Sequence, residues 1–177
     1  MAQICLKEQP CLDGAQKAPR RVLFVCTGNT CRSPMAAALL NDMCKTREPC
    51  SACPEGQACH IEARSAGLYA VQGAPITPLA AQALEEAGVV SVPPHDYRAH
   101  RASNITSEAV AWADDIVGLT GAHAMELMLR FPEAASKIRT LPMDIADPFG
   151  GDMEIYRQCL AQLRYALTLA FCTEEQA

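Results

Sequence analysis

Val22-Leu23-Phe24-Val25-Cys26-Thr27-Gly28-Asn29-Thr30-Cys31-Arg32-Ser33-Pro34-Met35 decides how the rest of the chain is read. Val22 to Val25 are all apolar and three of them are β-branched or aromatic, which predicts a short buried strand. Ser33 through Leu40 predicts a helix with Pro34 in its first turn, where a missing N–H costs nothing. Cys26 to Arg32 is then a strand-to-helix loop. Such a loop sits at the carboxyl end of a strand and at a helix N-terminus, where unpaired N–H groups and the helix dipole favour an anion. Gly28 lets the backbone turn tightly and Asn29 tolerates left-handed dihedrals, so the loop's N–H groups can form a nest around three phosphate oxygens.

The ends of the loop carry the reactive groups. Cys26 stands at the lip in the same positive field, which favours the thiolate, the nucleophilic form of the side chain. Arg32 closes the loop with a planar fork that suits two phosphate oxygens and the equatorial oxygens of a transferring phosphoryl group. Ser33 can donate a hydroxyl hydrogen bond to the thiolate or cap the helix. Thr27, Gly28, Asn29, Thr30 and Cys31 fill out a phosphate-binding loop of pattern Cys-x5-Arg-Ser.

Composition sets the frame around this loop. At 177 residues, half of them hydrophobic, the chain is long enough for one domain with a substantial core. A net charge of −5 argues against nucleic acid or an anionic membrane as partner. No apolar run of about 18 residues suggests a membrane span, and Ile4-Cys5-Leu6 is too short for the apolar core of a signal peptide. Ten cysteines are many for a cytoplasmic chain, but a reactive thiol needs a reducing compartment, so the expected location is the cytoplasm. Residues 1–20, with Pro10, Gly14 and Pro19, read as a loosely packed tail, and residues 21–177 as the domain.

Downstream, Met35, Leu39, Leu40 and Met43 fall at helical spacing, with Ala36, Ala37 and Ala38 allowing close approach to a sheet. Residues 44–60 break the pattern with Cys44, Cys50, Cys53, Cys59 and His60 among Pro49, Pro54 and Gly56. These thiols suit a tetrahedral zinc site, a redox pair or incidental cysteines, and none of the three gives them a catalytic task. Ile61 to Arg64 predicts a second strand, Thr77-Pro78 to Ala87 a helix stopped by Gly88, and Thr106 or Ser107 a cap on a short helix to Ala113. Asp115 to Leu119 predicts a third strand. Ala122 to Arg130 predicts a helix with Met125, Met128 and Leu129 toward the core, and Ile138 to Leu141 a fourth strand. The last helix places Ile155, Cys159, Leu160, Leu163, Leu167 and Phe171 on one face. Alternation of strand and helix implies an α/β fold: a four-stranded parallel sheet with right-handed crossovers and helices on both faces. The ligand site of such a sheet lies at the carboxyl ends of its strands, which gathers Cys26 and the loop after Leu141. That loop, Met143-Asp144-Ile145-Ala146-Asp147-Pro148-Phe149-Gly150-Gly151, offers two carboxylates that can protonate a departing group.

Cys26 through Ala36, after a hydrophobic strand, resembles the signature of the low-molecular-weight protein tyrosine phosphatase family, and Asp147-Pro148-Phe149-Gly150 resembles that family's general-acid loop. The likeness runs from about Arg21 to Phe171. It implies a phosphocysteine intermediate on Cys26, with Arg32 binding the phosphoryl group. It makes Asp147, rather than Asp144, the acid that protonates the leaving atom and then activates water. Phe149 is expected to form one wall of the pocket, a place in the core being the alternative for an aromatic after proline. Ser65, in Ser65-Ala66-Gly67, is implied to hydrogen-bond Asn29, and His100 to join the network of Asn29, Ser33 and Ser65. No cofactor or metal is implied, and the partner is a phosphorylated protein met by a monomeric enzyme. Cys31 is implied to form a disulfide with Cys26 under oxidation. Thr30 resembles the bacterial protein arginine phosphatase branch, whereas tyrosine-specific members usually carry a larger aliphatic residue there. Phosphoarginine is thus the expected substrate and phosphotyrosine the alternative. Related arsenate reductases add two downstream cysteines, but here none lies between Cys59 and Cys159. A phosphopeptide-binding module would lack the nucleophile or the acid, and Cys26, Arg32 and Asp147 are all present.

Overall fold

The computed structural model describes residues 18–45, 61–91 and 94–171. Its core is a four-stranded parallel sheet in the order β2-β1-β3-β4, with β1 at Arg20–Cys26, β2 at Ile61–Gly67, β3 at Asp115–Gly118 and β4 at Ile138–Thr140. The helices are α1 (Arg32–Lys45), α2 (Pro78–Glu86), α3 (Ser107–Trp112), α4 (Gly121–Arg130) and α5 (Met153–Phe171).

β1 is buried from Val22 to Cys26, and its alternation divides the core in two. Val22 and Phe24 pack on one face with Leu39 and Leu40 of α1, Leu84 of α2 and Leu163 of α5. Phe24 meets Phe171 edge to face, with ring centroids 6.4 Å apart. Leu23 and Val25 pack on the other face with Val110, Ile116 and Leu127. Helices therefore cover both faces, as the strand–helix alternation predicts. β2 is an edge strand, and Asn41 of α1 binds both the N–H and the C=O of Ala63 at 2.9 Å, blunting that edge.

One predicted helix face and one residue of another are corrected. Met125, Met128 and Leu129 are exposed, and α4 instead buries His123, Ala124 and Leu127. Small residues decide its rotation: a Cβ on Gly118 would lie 2.7 Å from the Ala124 N, so α4 docks through the residue that lets the backbones approach. Ile155 is also largely exposed, and Tyr156 takes its place on the buried stripe of α5. Hydropathy set the α4 stripe one residue off, because methionine outweighs alanine on that scale; on α5 it misplaced only Ile155, and Cys159, Leu160, Leu163, Leu167 and Phe171 are buried as expected. Cys50, Cys53, Cys59 and His60 lie outside the described residues, as does most of the 1–20 tail. Among the described residues no helix is long and apolar enough to cross a membrane.

Candidate active site

β1 has β2 on one side and β3 on the other, so the loop after Cys26 leaves the sheet at its topological switch point. Cys26 pairs with Gly67 across the sheet. A Cβ on Gly67 would stand 2.8 Å from the Thr27 carbonyl and 3.1 Å from the Asn29 Cβ, so only glycine leaves room for the loop. Four loop carbonyls are bound from outside: Cys26 by Leu68 N–H, Thr27 by Tyr69 N–H and Thr30 by Thr77 N–H, each at 2.9 Å, and Asn29 by His100 Nε2 at 2.7 Å. In a trans peptide the carbonyl and the following N–H point in opposite directions, so the N–H groups of Thr27, Gly28, Thr30 and Cys31 turn inward. The loop is an anion nest.

Asn29 is the hinge of this geometry. It is fully buried and is the left-handed non-glycine residue of the described chain, at φ 55°. Its Nδ2 donates to Ser33 Oγ at 3.0 Å and Ser65 Oγ at 2.9 Å, and its Oδ1 accepts from Ser103 N–H at 3.0 Å. His100 bonds the Asn29 carbonyl, which requires its Nε2 to carry the hydrogen. Burial, with Arg101 adding to it, holds that imidazole below its ordinary pKa of 6.5 despite the opposing effect of this bond. Gly28 is not left-handed, and a Cβ on it would meet only Thr30 Oγ1 at 3.7 Å. The tight turn therefore rests on Asn29.

Cys26 Sγ lies 3.0 Å from Ser33 Oγ, itself 3.3 Å from the Ala66 carbonyl. Both side chains are buried, Cys26 at the end of β1 and Ser33 in the first turn of α1. Cys31 is buried behind the loop, its Sγ 3.3 Å from Thr77 Oγ1, 3.4 Å from the Tyr156 hydroxyl and 3.7 Å from Thr30 Oγ1. Burial and the neighbouring thiol push the Tyr156 phenol up to about 12. Thr27 is at the exposed rim.

Across the mouth stands the loop after β4. Arg32 Nη2 donates to Asp147 Oδ2 at 2.6 Å and Arg32 Nη1 to the Ile145 carbonyl at 3.4 Å. The guanidinium is 7% exposed and the carboxylate 49%. Asp147 Oδ1 also accepts from the Phe149 N–H, while the Phe149 ring is 72% exposed above it. Asp144 instead accepts from Gly121 N–H at the start of α4, so it is occupied in holding the helix. A thiol, a guanidinium and a half-exposed carboxylate thus converge on one nest, and that set can attack, hold and protonate a phosphoryl ester or amide.

The description "Low molecular weight phosphotyrosine protein phosphatase" belongs to the family model that matches residues 21–174. The chain belongs to this family. It is accordingly a cysteine-dependent protein phosphatase, a hydrolase acting on phosphorylated protein. It is 40% identical over 152 residues to the protein-arginine-phosphatase of Geobacillus stearothermophilus, covering 82% of this chain and 89% of that one. It is 33% identical over 153 residues to the protein-arginine-phosphatase of Bacillus subtilis, covering 82% and 91%. The solved structure of the YwlE arginine phosphatase from Geobacillus stearothermophilus superposes with a TM-score of 0.69 at 38% identity, covering 85% of this chain and 90% of that one.

The fold brings to this loop four residues that sequence patterns do not single out. Thr77, which reads only as a helix start, holds Thr30 and Cys31, and Ser103 holds Asn29. Tyr156 reaches Cys31 from α5. His123, to which no motif gives a role, lies 3.0 Å from Thr27 Oγ1 through its Nε2. Its place one turn into the helix after β3, at the same sheet end as Cys26, is the one signal that could have found it.

Proposed function

We propose that this phosphatase hydrolyses phosphoarginine in proteins through a phosphocysteine on Cys26. The Cys26 thiolate attacks phosphorus in line while the nest and Arg32 hold the equatorial oxygens. The P–N bond breaks, and Asp147 gives its proton to the departing guanidine nitrogen. Water then attacks phosphorus as the Asp147 carboxylate takes its proton; the new O–P bond forms, the S–P bond breaks, and phosphate leaves with the thiolate restored. Thr27 to Cys31 line the phosphoryl group, Ser33 steadies the sulfur, Phe149 faces the substrate, and Ser65 and His100 hold Asn29. The observation that carries the mechanism is the 2.6 Å contact of Arg32 with Asp147, which joins motifs 115 positions apart at the nest. The choice of phosphoarginine is supported by Thr30 in the nest and by the names of the two bacterial relatives.

The test is kcat/KM on phosphoarginine and phosphotyrosine peptides side by side under reducing conditions, with Cys26→Ser as control. Preference for phosphoarginine and a dead Cys26→Ser support the reading. Preference for phosphotyrosine leaves the mechanism and removes the substrate; turnover by Cys26→Ser removes the mechanism. The reactive thiol favours a reducing, cytoplasmic setting, and we take the working unit to be a monomer, which sedimentation can check.

A further inference from the structure

His123 has no part in the mechanism above, yet it is buried and bonded through both ring nitrogens. Thr120 caps α4, its Oγ1 accepting the His123 backbone N–H at 3.3 Å, and the same Oγ1 lies 2.8 Å from His123 Nδ1. The other nitrogen, Nε2, reaches back 3.0 Å to Thr27 Oγ1, the side chain next to the nucleophile.

Counting hydrogens favours one direction for this chain. Thr120 Oγ1 already accepts one N–H, and its own hydrogen is satisfied by donating to Nδ1. Nε2 then carries the ring hydrogen and donates to Thr27 Oγ1. With its oxygen occupied as an acceptor, the Thr27 hydroxyl hydrogen is left to point away from His123, at the exposed rim of the loop. The opposite tautomer would place two N–H donors on Thr120 Oγ1 and leave its hydrogen without an acceptor among the described residues. The ring must be neutral for this order to hold. Burial first, and Arg32 second, favour that state, while Asp147, Glu126 and Asp144 oppose it.

We propose that His123 is a positioning residue that acts through Thr27, turning the Thr27 hydroxyl into a fixed hydrogen-bond donor for the phosphoryl group. The role adds a side-chain donor to a nest otherwise made of backbone, at the rim where phosphoryl oxygens enter. It rests on the proposed reading of Cys26 as nucleophile.

The experiment is a double-mutant cycle on kcat/KM, with competitive inhibition by inorganic phosphate measured in parallel. His123→Leu and Thr27→Val are each expected to lower kcat/KM by about tenfold and to weaken phosphate inhibition, as for the loss of one hydrogen bond to a charged group. The pair together should cost no more than either alone, to within about twofold, because both remove one donor. His123→Gln, whose amide can still donate toward Thr27, should recover most of the loss. His123→Asn, which can keep the Thr120 contact but falls short of Thr27, should not. Multiplying effects in the double variant, or full activity in His123→Asn, overturn the proposal. If His123→Leu fails to fold, the Asn and Gln variants and their combinations with Thr27→Val separate the same two outcomes. Turnover by Cys26→Ser would defeat the mechanism itself, whereas a dead Cys26→Ser beside an uncoupled His123 defeats only this inference.

Discussion

Replacing Asn29 by alanine tests how the loop is held. The side chain donates to Ser33 and Ser65 and accepts from Ser103, so three hydrogen bonds go at once. At about 1 kcal/mol each these give about 3 kcal/mol. A Cβ held at φ 55° without the asparagine's local hydrogen bonding costs roughly 1 kcal/mol more. The expected loss is about 4 kcal/mol, or roughly 8–16 °C in Tm for a domain of this size. Asn29→Gly loses the same bonds without the dihedral strain, so it should be about 1 kcal/mol more stable than the alanine variant. Urea unfolding monitored at Trp112 gives the stabilities, and kcat/KM on a phosphorylated peptide gives the effect on the nest. Both variants should lose activity, because Ser33 and Ser65 no longer fix the loop. An Asn29→Ala protein within about 1 kcal/mol of wild type, with undiminished kcat/KM, would refute the claim that this side chain shapes the site.

Gly67→Ala forces a Cβ to 2.8 Å from the Thr27 carbonyl, and the loop must shift; a loss of about 1–3 kcal/mol in urea unfolding with a reduced kcat/KM is expected. Asp147→Asn should lower kcat by about 10²–10⁴-fold while inorganic phosphate inhibits more tightly; weaker phosphate inhibition would count against the ion pair as a competitor. His100 and His123 are both held below the ordinary value of 6.5, first by burial, so the unfolded chain binds their protons more readily. Their contribution to stability is whole above about pH 6.5 and is lost as the pH falls below it. Unfolding titrations between about pH 8 and 5 should show that slope, and the double variant His100→Gln/His123→Gln should flatten it.

The fold was legible because its strands are short apolar runs and its crossovers are punctuated by Pro34, Pro78, Gly88 and the Thr106 cap, whose Oγ1 receives the Ala109 N–H at 3.2 Å. The loop was legible because its chemistry is local: a strand, a turn that needs a left-handed residue, and a helix N-terminus all fall within fourteen residues. What escaped was set by packing between distant elements. The burial of His123 follows from Gly118 and Ala124 bringing α4 against β3, and hydropathy counts neither glycine nor alanine strongly. Thr77 looks like a cap, yet its side chain faces Cys31 because α2 starts beneath the loop. Tyr156 displaces Ile155 from the core because its hydroxyl finds Cys31, a partner 125 residues away. The Thr77 and Tyr156 contacts pair polar atoms whose one-dimensional neighbours say nothing about them.

The Arg32–Asp147 contact gives the proposed reaction its order. With the guanidinium 7% exposed and held by Asp147 and the Ile145 carbonyl, the fork is aimed across the nest before any phosphoryl group arrives. Little side-chain freedom is then left to lose on binding. A phosphoryl dianion needs the same donors, and it brings two charges where Asp147 offers one, so binding exchanges one anion for another on Arg32. In the proposed reaction the carboxylate, half exposed and followed by Pro148 and the left-handed Gly150, is displaced as the phosphoryl group takes its donors. It takes up a proton beside that dianion before it serves as the acid. An acid that gains its proton only once the phosphoryl group is seated cannot act before the nucleophile is aligned. On the proposed reading, the contact that holds Arg32 in place also times the proton donor.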